Sequence, residues 1–224
     1  MRSILIDLSG TLHIEDLATT GAVQSLRLLY SQPDKFQLKF VTNTTKESSR
    51  CLHQRLVRCG FDYVKQSDIF SSLSAARRLI QQKNLRPMLF LEDEAMEDFK
   101  DIDTSNPNCV VIGLAPSKFD FQDMNTAFKL LLHNHEAELI AIHKGRYYMT
   151  GEGMSLGPGP YVECLQFATG KRATVVGKPK PEFFRQALAS INSYNQDLDQ
   201  AVMVGDDVRD DVLGAINFGP RLFW

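Results

Sequence analysis

Short apolar runs alternate along the chain with longer stretches whose apolar positions recur at helical spacing. Ser3-Ile4-Leu5-Ile6 and Gln37-Leu38-Lys39-Phe40-Val41 read as strands, with a helix from Ala22 to Tyr30 between them. Ser48 to Cys59 reads as a second helix, stopped by Gly60, and Ser72 to Gln81 as a third. The same rhythm then repeats. Met88-Leu89-Phe90-Leu91, Cys109-Val110-Val111-Ile112 and Leu139-Ile140-Ala141-Ile142 are strand-like, and Phe121 to His133 is helical. Gly157-Pro158-Gly159-Pro160 interrupts the pattern, and Pro160 is suited to opening a helix from Tyr161 to Ala168. Ala173 to Val176, Glu182 to Ala189 and Ala201 to Val204 follow as strand, helix and strand. Such alternation predicts an α/β fold, with a parallel sheet covered by helices.

Composition narrows this only in part. Of 224 residues, Lys and Arg number 25 and Asp and Glu 27, so a net charge of −2 argues against a generally basic nucleic-acid binder. With 43% hydrophobic and 23% charged residues the chain has the makeup of a soluble globular protein. No run approaches the roughly 18–20 apolar residues of a membrane helix. Ile4-Leu5-Ile6, interrupted by Asp7, is too short for a secretory leader. Cys51, Cys59, Cys109 and Cys164 are scattered, without metal-binding spacing, which predicts free thiols in a reducing, cytoplasmic setting.

Four polar clusters lie just after predicted strands, where ligands bind in open α/β sheets. They are Asp7-Leu8-Ser9-Gly10-Thr11-Leu12, Thr42-Asn43-Thr44-Thr45, Gly177-Lys178-Pro179 and Gly205-Asp206-Asp207, the last followed by Asp210 and Asp211. Singly, each has an ordinary reading: a turn former, a helix cap, a solvated lysine. The last is the most pointed, because adjacent carboxylates repel unless a cation lies between them, and hard oxygen donors suit Mg²⁺.

In this order the four clusters resemble the motifs of the haloacid dehalogenase superfamily of phosphohydrolases, and they span nearly the whole chain. The resemblance implies a Rossmann-like doubly wound parallel sheet core with an inserted α/β cap domain. The expected division is a discontinuous core of residues 1–82 and 171–224 with a cap of 83–170. It also implies roles: Asp7 as nucleophile, Mg²⁺ held by Asp7, the Ser9 carbonyl and Asp206 with Asp207 close by or acting through water, and Thr42 and Asn43 donating to phosphoryl oxygens. Lys178 would add positive charge beside them and restrain Asp7. Asp211 would support the site, whereas Asp210 reads as a surface acid. The expected partner is a small phosphorylated substrate or pyrophosphate, with neither nucleic acid nor membrane. Family caps of this type also mediate dimers, so the resemblance allows a homodimer through the cap.

One position departs from the pattern. Many phosphatases of this superfamily place a second Asp two residues after the nucleophile, as general acid and then base. Here that residue is Ser9, whose hydroxyl has no suitable pKa for a task often worth about 10²–10⁴-fold. The expectation is a bias toward good leaving groups: pyrophosphate, acyl phosphate or phosphoramidate. The alternative is a catalytically weak, phosphatase-like scaffold. A phospho-accepting receiver domain is rejected, because its acidic pair precedes the phosphorylated Asp. Arg77, Arg78 and Lys46 read as solvated charges, and His143 to Tyr148 either as a cap contact for an anionic substrate or as a solvated basic cluster at a strand end. Family members carry a Gly-led closing strand after the fourth motif's helix. Gly219-Pro220-Arg221-Leu222-Phe223-Trp224 predicts that this strand is missing or replaced.

Overall fold

The computed structural model describes residues 1–150, 152–191, 201–218 and 221–223. The chain divides into two compact units, Met1–Thr42 with Ser49–Ser71 and Lys178–Trp224, and Asn43–Ser48 with Ser72–Gly177.

The first unit contains a five-stranded parallel sheet in the order β13-β12-β1-β4-β5. These strands are β1 (Arg2–Ile6), β4 (Phe36–Thr42), β5 (Ile69–Ser71), β12 (Ala201–Val204) and β13 (Arg221–Phe223). A small antiparallel hairpin, β2 (His13–Ile14) with β3 (Leu17–Ala18), follows β1. Strand alternation sends Ile4, Ile6 and Phe40 into one core, where they meet Leu26 of α1 (Ala22–Tyr30) and Leu52 and Leu56 of α2 (Ser49–Arg58). α6 (Pro181–Ala189) packs on β1 and β4, and the Phe183 ring lies 5.2 Å from that of Phe70.

The second unit carries its own parallel sheet, in the order β11-β8-β7-β6. Its strands are β6 (Pro87–Phe90), β7 (Cys109–Ile112), β8 (Glu138–Ala141) and β11 (Thr174–Val175). Both faces are covered, as continuous apolar runs require. Val110, Ile112 and Leu139 pack with Ala127 and Leu131 of α4 (Phe121–His133) and Val162 and Leu165 of α5 (Gly159–Thr169). Cys109, Val111 and Ile140 pack with Leu73, Ala76 and Ile80 of α3 (Ser72–Gln82). A separate antiparallel pair joins β9 (Tyr147–Thr150) and β10 (Gly153–Leu156). The Rossmann-like core and inserted α/β unit expected from the sequence are therefore both present.

The structure differs from the sequence reading at several points. The units do not divide at 82/83 and 170/171: α3 and residues 171–177 fall in the second unit, because α3 buries its apolar face against β7 and β8. Asn43–Ser48 also belongs there. Thr45 Oγ1 accepts from the Leu114 amide at 3.0 Å, and Ser48 Oγ donates to Glu97 Oε2 at 2.7 Å. The closing strand exists: β13 pairs with β12, Val202 opposite Arg221 and Val204 opposite Phe223. Arg77 is no free surface charge, since it donates to the Asp98 carbonyl and to both oxygens of Asp101. Lys46 lies over the Tyr148 ring, 4.1 Å from its centroid. Among the described residues no helix is long and apolar enough to cross a membrane.

The four cysteines are not joined in disulfides, and their environments differ sharply. Cys164 is exposed on α5, whereas Cys109 is fully buried on β7, where burial pushes its thiol up to about 12. Ellman's reagent should titrate Cys164 first in the folded protein. Cys109 should stay silent until denaturant unfolds the second unit, and labelling sites mapped by mass spectrometry check the order.

Candidate active site

The strand order brings the candidate residues of the first unit together. β12, β1 and β4 are neighbours and parallel, so their carboxyl ends open on one edge of the sheet. Asp7 leaves β1, Thr42 ends β4, and Gly205-Asp206 leave β12. The chain proceeds from β1 to β4 on one side and returns as β12 on the other. That makes this edge a topological switch point, the place where such sheets bind ligands.

Lys178 enters from the segment before α6 and is only 4% exposed. Its Nζ donates to Asp7 Oδ1 at 2.5 Å and Asp211 Oδ1 at 2.7 Å, and contacts the Val41 carbonyl at 3.4 Å. Asp7 and Asp211 are buried as well, at 5% and 1% exposure. Asp206 is exposed, and its Oδ1 accepts from Thr11 Oγ1 at 3.1 Å. Two glycines permit this crowding. A Cβ on Gly10, whose φ is +91°, would stand 2.2 Å from Asp206 Oδ2. One on Gly205 would stand 2.3 Å from Asp211 Oδ2.

The charges do not balance. Two buried carboxylates share one ammonium, so burial holds the Asp7 carboxyl above its ordinary value; Lys178 pulls it back and Asp211 pushes it up further. Lys178 itself is held above the ordinary lysine value, because the attraction of Asp7 and Asp211 outweighs the cost of its burial.

Asp207, expected near the cation, serves in the structure as a cap. Its Oδ1 accepts from the amides of Arg209 and Asp210 at 2.7 and 2.8 Å, capping the π-helical turn Val208–Leu213 that leads into α7 (Gly214–Phe218). Asp211, one turn on, points inward instead. Its Oδ1 takes Lys178 and its Oδ2 takes the Asp207 amide at 3.2 Å. Ser9 is exposed in the loop after Asp7. Thr42 is buried at the end of β4, opposite Ser71. Asn43 belongs to the second unit, where its Oδ1 would lie 2.5 Å from a Cβ on Gly177. Thr11, Gly10 and Gly205 carried no assigned role in the sequence reading. Only the Gly-Thr after Asp7 and the Gly before Asp206 could have signalled them.

The donor set fits a divalent cation. Carboxylate oxygens of Asp7, Asp206 and Asp211 all lie within 4.8 Å of one another. They are hard donors, which favour Mg²⁺, and the surplus negative charge invites a cation. Because both Asp211 oxygens are engaged, Asp7 and Asp206 are the better placed to face it.

Comparison with known proteins bears on the family of the chain. Residues 4–105 match the haloacid dehalogenase-like hydrolase family profile, and residues 175–224 match a HAD-hydrolase-like profile. The chain is 52% identical over 221 residues to haloacid dehalogenase-like hydrolase domain-containing protein 2 of Bos taurus, covering 99% of this chain and 82% of that one. It is 39% identical over 225 residues to phospholysine phosphohistidine inorganic pyrophosphate phosphatase of Homo sapiens, covering 99% and 81%. In fold it resembles the p-nitrophenyl phosphatase from Archaeoglobus fulgidus, with a TM-score of 0.87 at 24% identity, covering 99% and 84%. With these sequence matches spanning nearly its whole length, the chain belongs to the haloacid dehalogenase-like hydrolases.

Proposed function

We propose that this hydrolase is a Mg²⁺-dependent phosphohydrolase that acts on a small phosphorylated substrate through an aspartyl-phosphate on Asp7. The observation that carries the reading is the buried Lys178 bridging Asp7 and Asp211, with Asp206 within reach at the end of the adjacent strand. An Asp7 oxygen attacks phosphorus, the bond to the leaving group breaks, and water then attacks phosphorus to release phosphate and regenerate the carboxylate. Lys178 holds Asp7 Oδ1, which orients the carboxylate for attack. Asp211 in turn fixes Lys178. The Thr42 hydroxyl and the Asn43 amide are the donors assigned to the phosphoryl oxygens. The cation, faced by Asp7 and Asp206, would supply charge neutralisation between an anionic nucleophile and an anionic substrate. The Ser9 carbonyl is assigned as a further ligand.

Ser9 shapes the choice of substrate. With no acid two residues after Asp7, a leaving group that needs little protonation is favoured, which points to pyrophosphate, phosphoramidates and aryl phosphates. The names of the relatives, a p-nitrophenyl phosphatase and a phospholysine phosphohistidine inorganic pyrophosphate phosphatase, support the same set.

Metal-dependent hydrolysis of p-nitrophenyl phosphate and pyrophosphate tests the reading. Asp7→Asn should abolish turnover while leaving the fold intact. Lys178→Met should also abolish it, and should cost about 3–5 kcal/mol in urea unfolding because two buried carboxylates lose their countercharge. Full activity in Asp7→Asn would reject the mechanism.

A pH effect on stability follows from the raised Asp7 carboxyl. A folded-state value above the unfolded one means that the native chain binds the proton more tightly. Without a divalent cation, stability should therefore fall as pH rises from the ordinary carboxylate value through the raised one. Asp7→Asn should flatten that fall, and Mg²⁺ should reduce it in the wild type, both read from melting temperatures across pH 4–8.

Ser9→Asp should raise kcat on an alkyl phosphate by roughly 10-fold or more, with far less change on p-nitrophenyl phosphate. Equal gains on both substrates, or none, would contradict the leaving-group argument.

A further inference from the structure

The chain leaves Asp7 and makes the β2–β3 hairpin before returning at Thr19. A hairpin of two-residue strands has little stability of its own. Its cross-strand pair Ile14 and Leu17 is 63% and 76% exposed, and Glu15 at the turn has φ +51°, a region that favours glycine. Yet its root must be well placed. There Thr11 donates to Asp206, Gly10 abuts the same carboxylate, and Thr19 Oγ1 donates to the carbonyls of Thr11 at 2.7 Å and Leu12 at 3.2 Å.

The tip is tied down by charge. Asp16 Oδ1 accepts from Arg55 Nη1 at 3.2 Å and from Arg58 Nη2 at 3.1 Å. The two arginines are three residues apart on α2 and share one face, while Leu52 and Leu56 anchor the helix in the core. Both lie in the last turn of α2, where basic residues also suit the helix dipole. The dipole accounts for their presence but not for their convergence on one carboxylate of a different element. The Arg55 side chain is 27% exposed and that of Asp16 60%, so the pair lies at the surface and is open to screening by salt.

We propose that Asp16 is a positioning residue. Latched to Arg55 and Arg58, it holds the hairpin so that Thr11 and Gly10 keep the Asp206 carboxylate oriented for the cation. This inference rests on the reading of Asp206 as a cation ligand. It assigns a function to three charged residues outside the four motifs, and it makes cation affinity depend on an ion pair at the hairpin's far end.

Hydrogen exchange and Mg²⁺ titration of the melting temperature test the latch on the whole chain, without turnover. In Asp16→Asn the Thr19 amide, bonded to the Leu12 carbonyl, and the Gly10 amide, bonded to the His13 carbonyl, should exchange about two- to tenfold faster. The Mg²⁺ concentration giving half of the thermal shift should rise by a similar factor, and Asp16→Glu should restore both. Added NaCl should raise the wild-type Mg²⁺ requirement more than that of Asp16→Asn. An unchanged Mg²⁺ requirement in Asp16→Asn, beside a normal wild-type response, overturns the role of Asp16 alone. A wild type with no Mg²⁺ shift overturns the reading of Asp206, and this role with it.

Discussion

The Lys178 ammonium, enclosed between Asp7 and Asp211, is the interaction on which the site depends. Desolvating three charges is costly, and the cost is offset only if each partner is held at hydrogen-bond distance. The surrounding backbone meets that demand. The Val41 carbonyl at the end of β4 adds a contact, Gly205 leaves room for Asp211, and the Asp207 amide takes the second Asp211 oxygen. One side chain thereby ties the carboxyl ends of β1 and β4 and the turn after β12 to the same point.

That arrangement satisfies geometry better than charge. One ammonium cannot neutralise two buried carboxylates and the nearby Asp206, so the site retains negative charge in a place where charge is expensive. The carboxylates of Asp7, Asp206 and Asp211, within 4.8 Å of one another, are a donor set that could hold a divalent cation, which would offset the imbalance. The neighbouring hairpin follows similar logic on the surface, where Asp16 draws Arg55 and Arg58 onto an element too short to hold itself.

Much of the fold was legible because burial on both faces leaves an unmistakable trace. Runs such as Cys109–Ile112 and Ala201–Val204 form strands where expected, and Phe121–His133 forms a helix. The short elements were not legible. β2, β3 and β5 hold two or three residues each, too few for any periodicity, and β13 follows a Gly-Pro that reads as a stop. The domain boundary also escaped, since the apolar face of α3 suits either core, and only packing against Val111 and Ile140 assigns it to the second unit.

The candidate site divides in the same way. By itself, the sequence determined the chemical inventory: an aspartate after the first strand, a lysine after a Gly, a run of carboxylates after β12, and a serine where an acid is common. Their order sufficed to indicate the family. Tertiary structure alone decided what each carboxylate does. Asp207 and Asp211 are four residues apart and chemically identical, yet one caps a helical turn and the other turns inward to hold a buried lysine. Lys178, read in isolation, is a solvated charge, and it becomes the centre of the site only when three strand ends converge on it. Residue type sets which bonds a side chain can make. Which of them it does make depends on the backbone around it, and that is settled by contacts far apart in the chain.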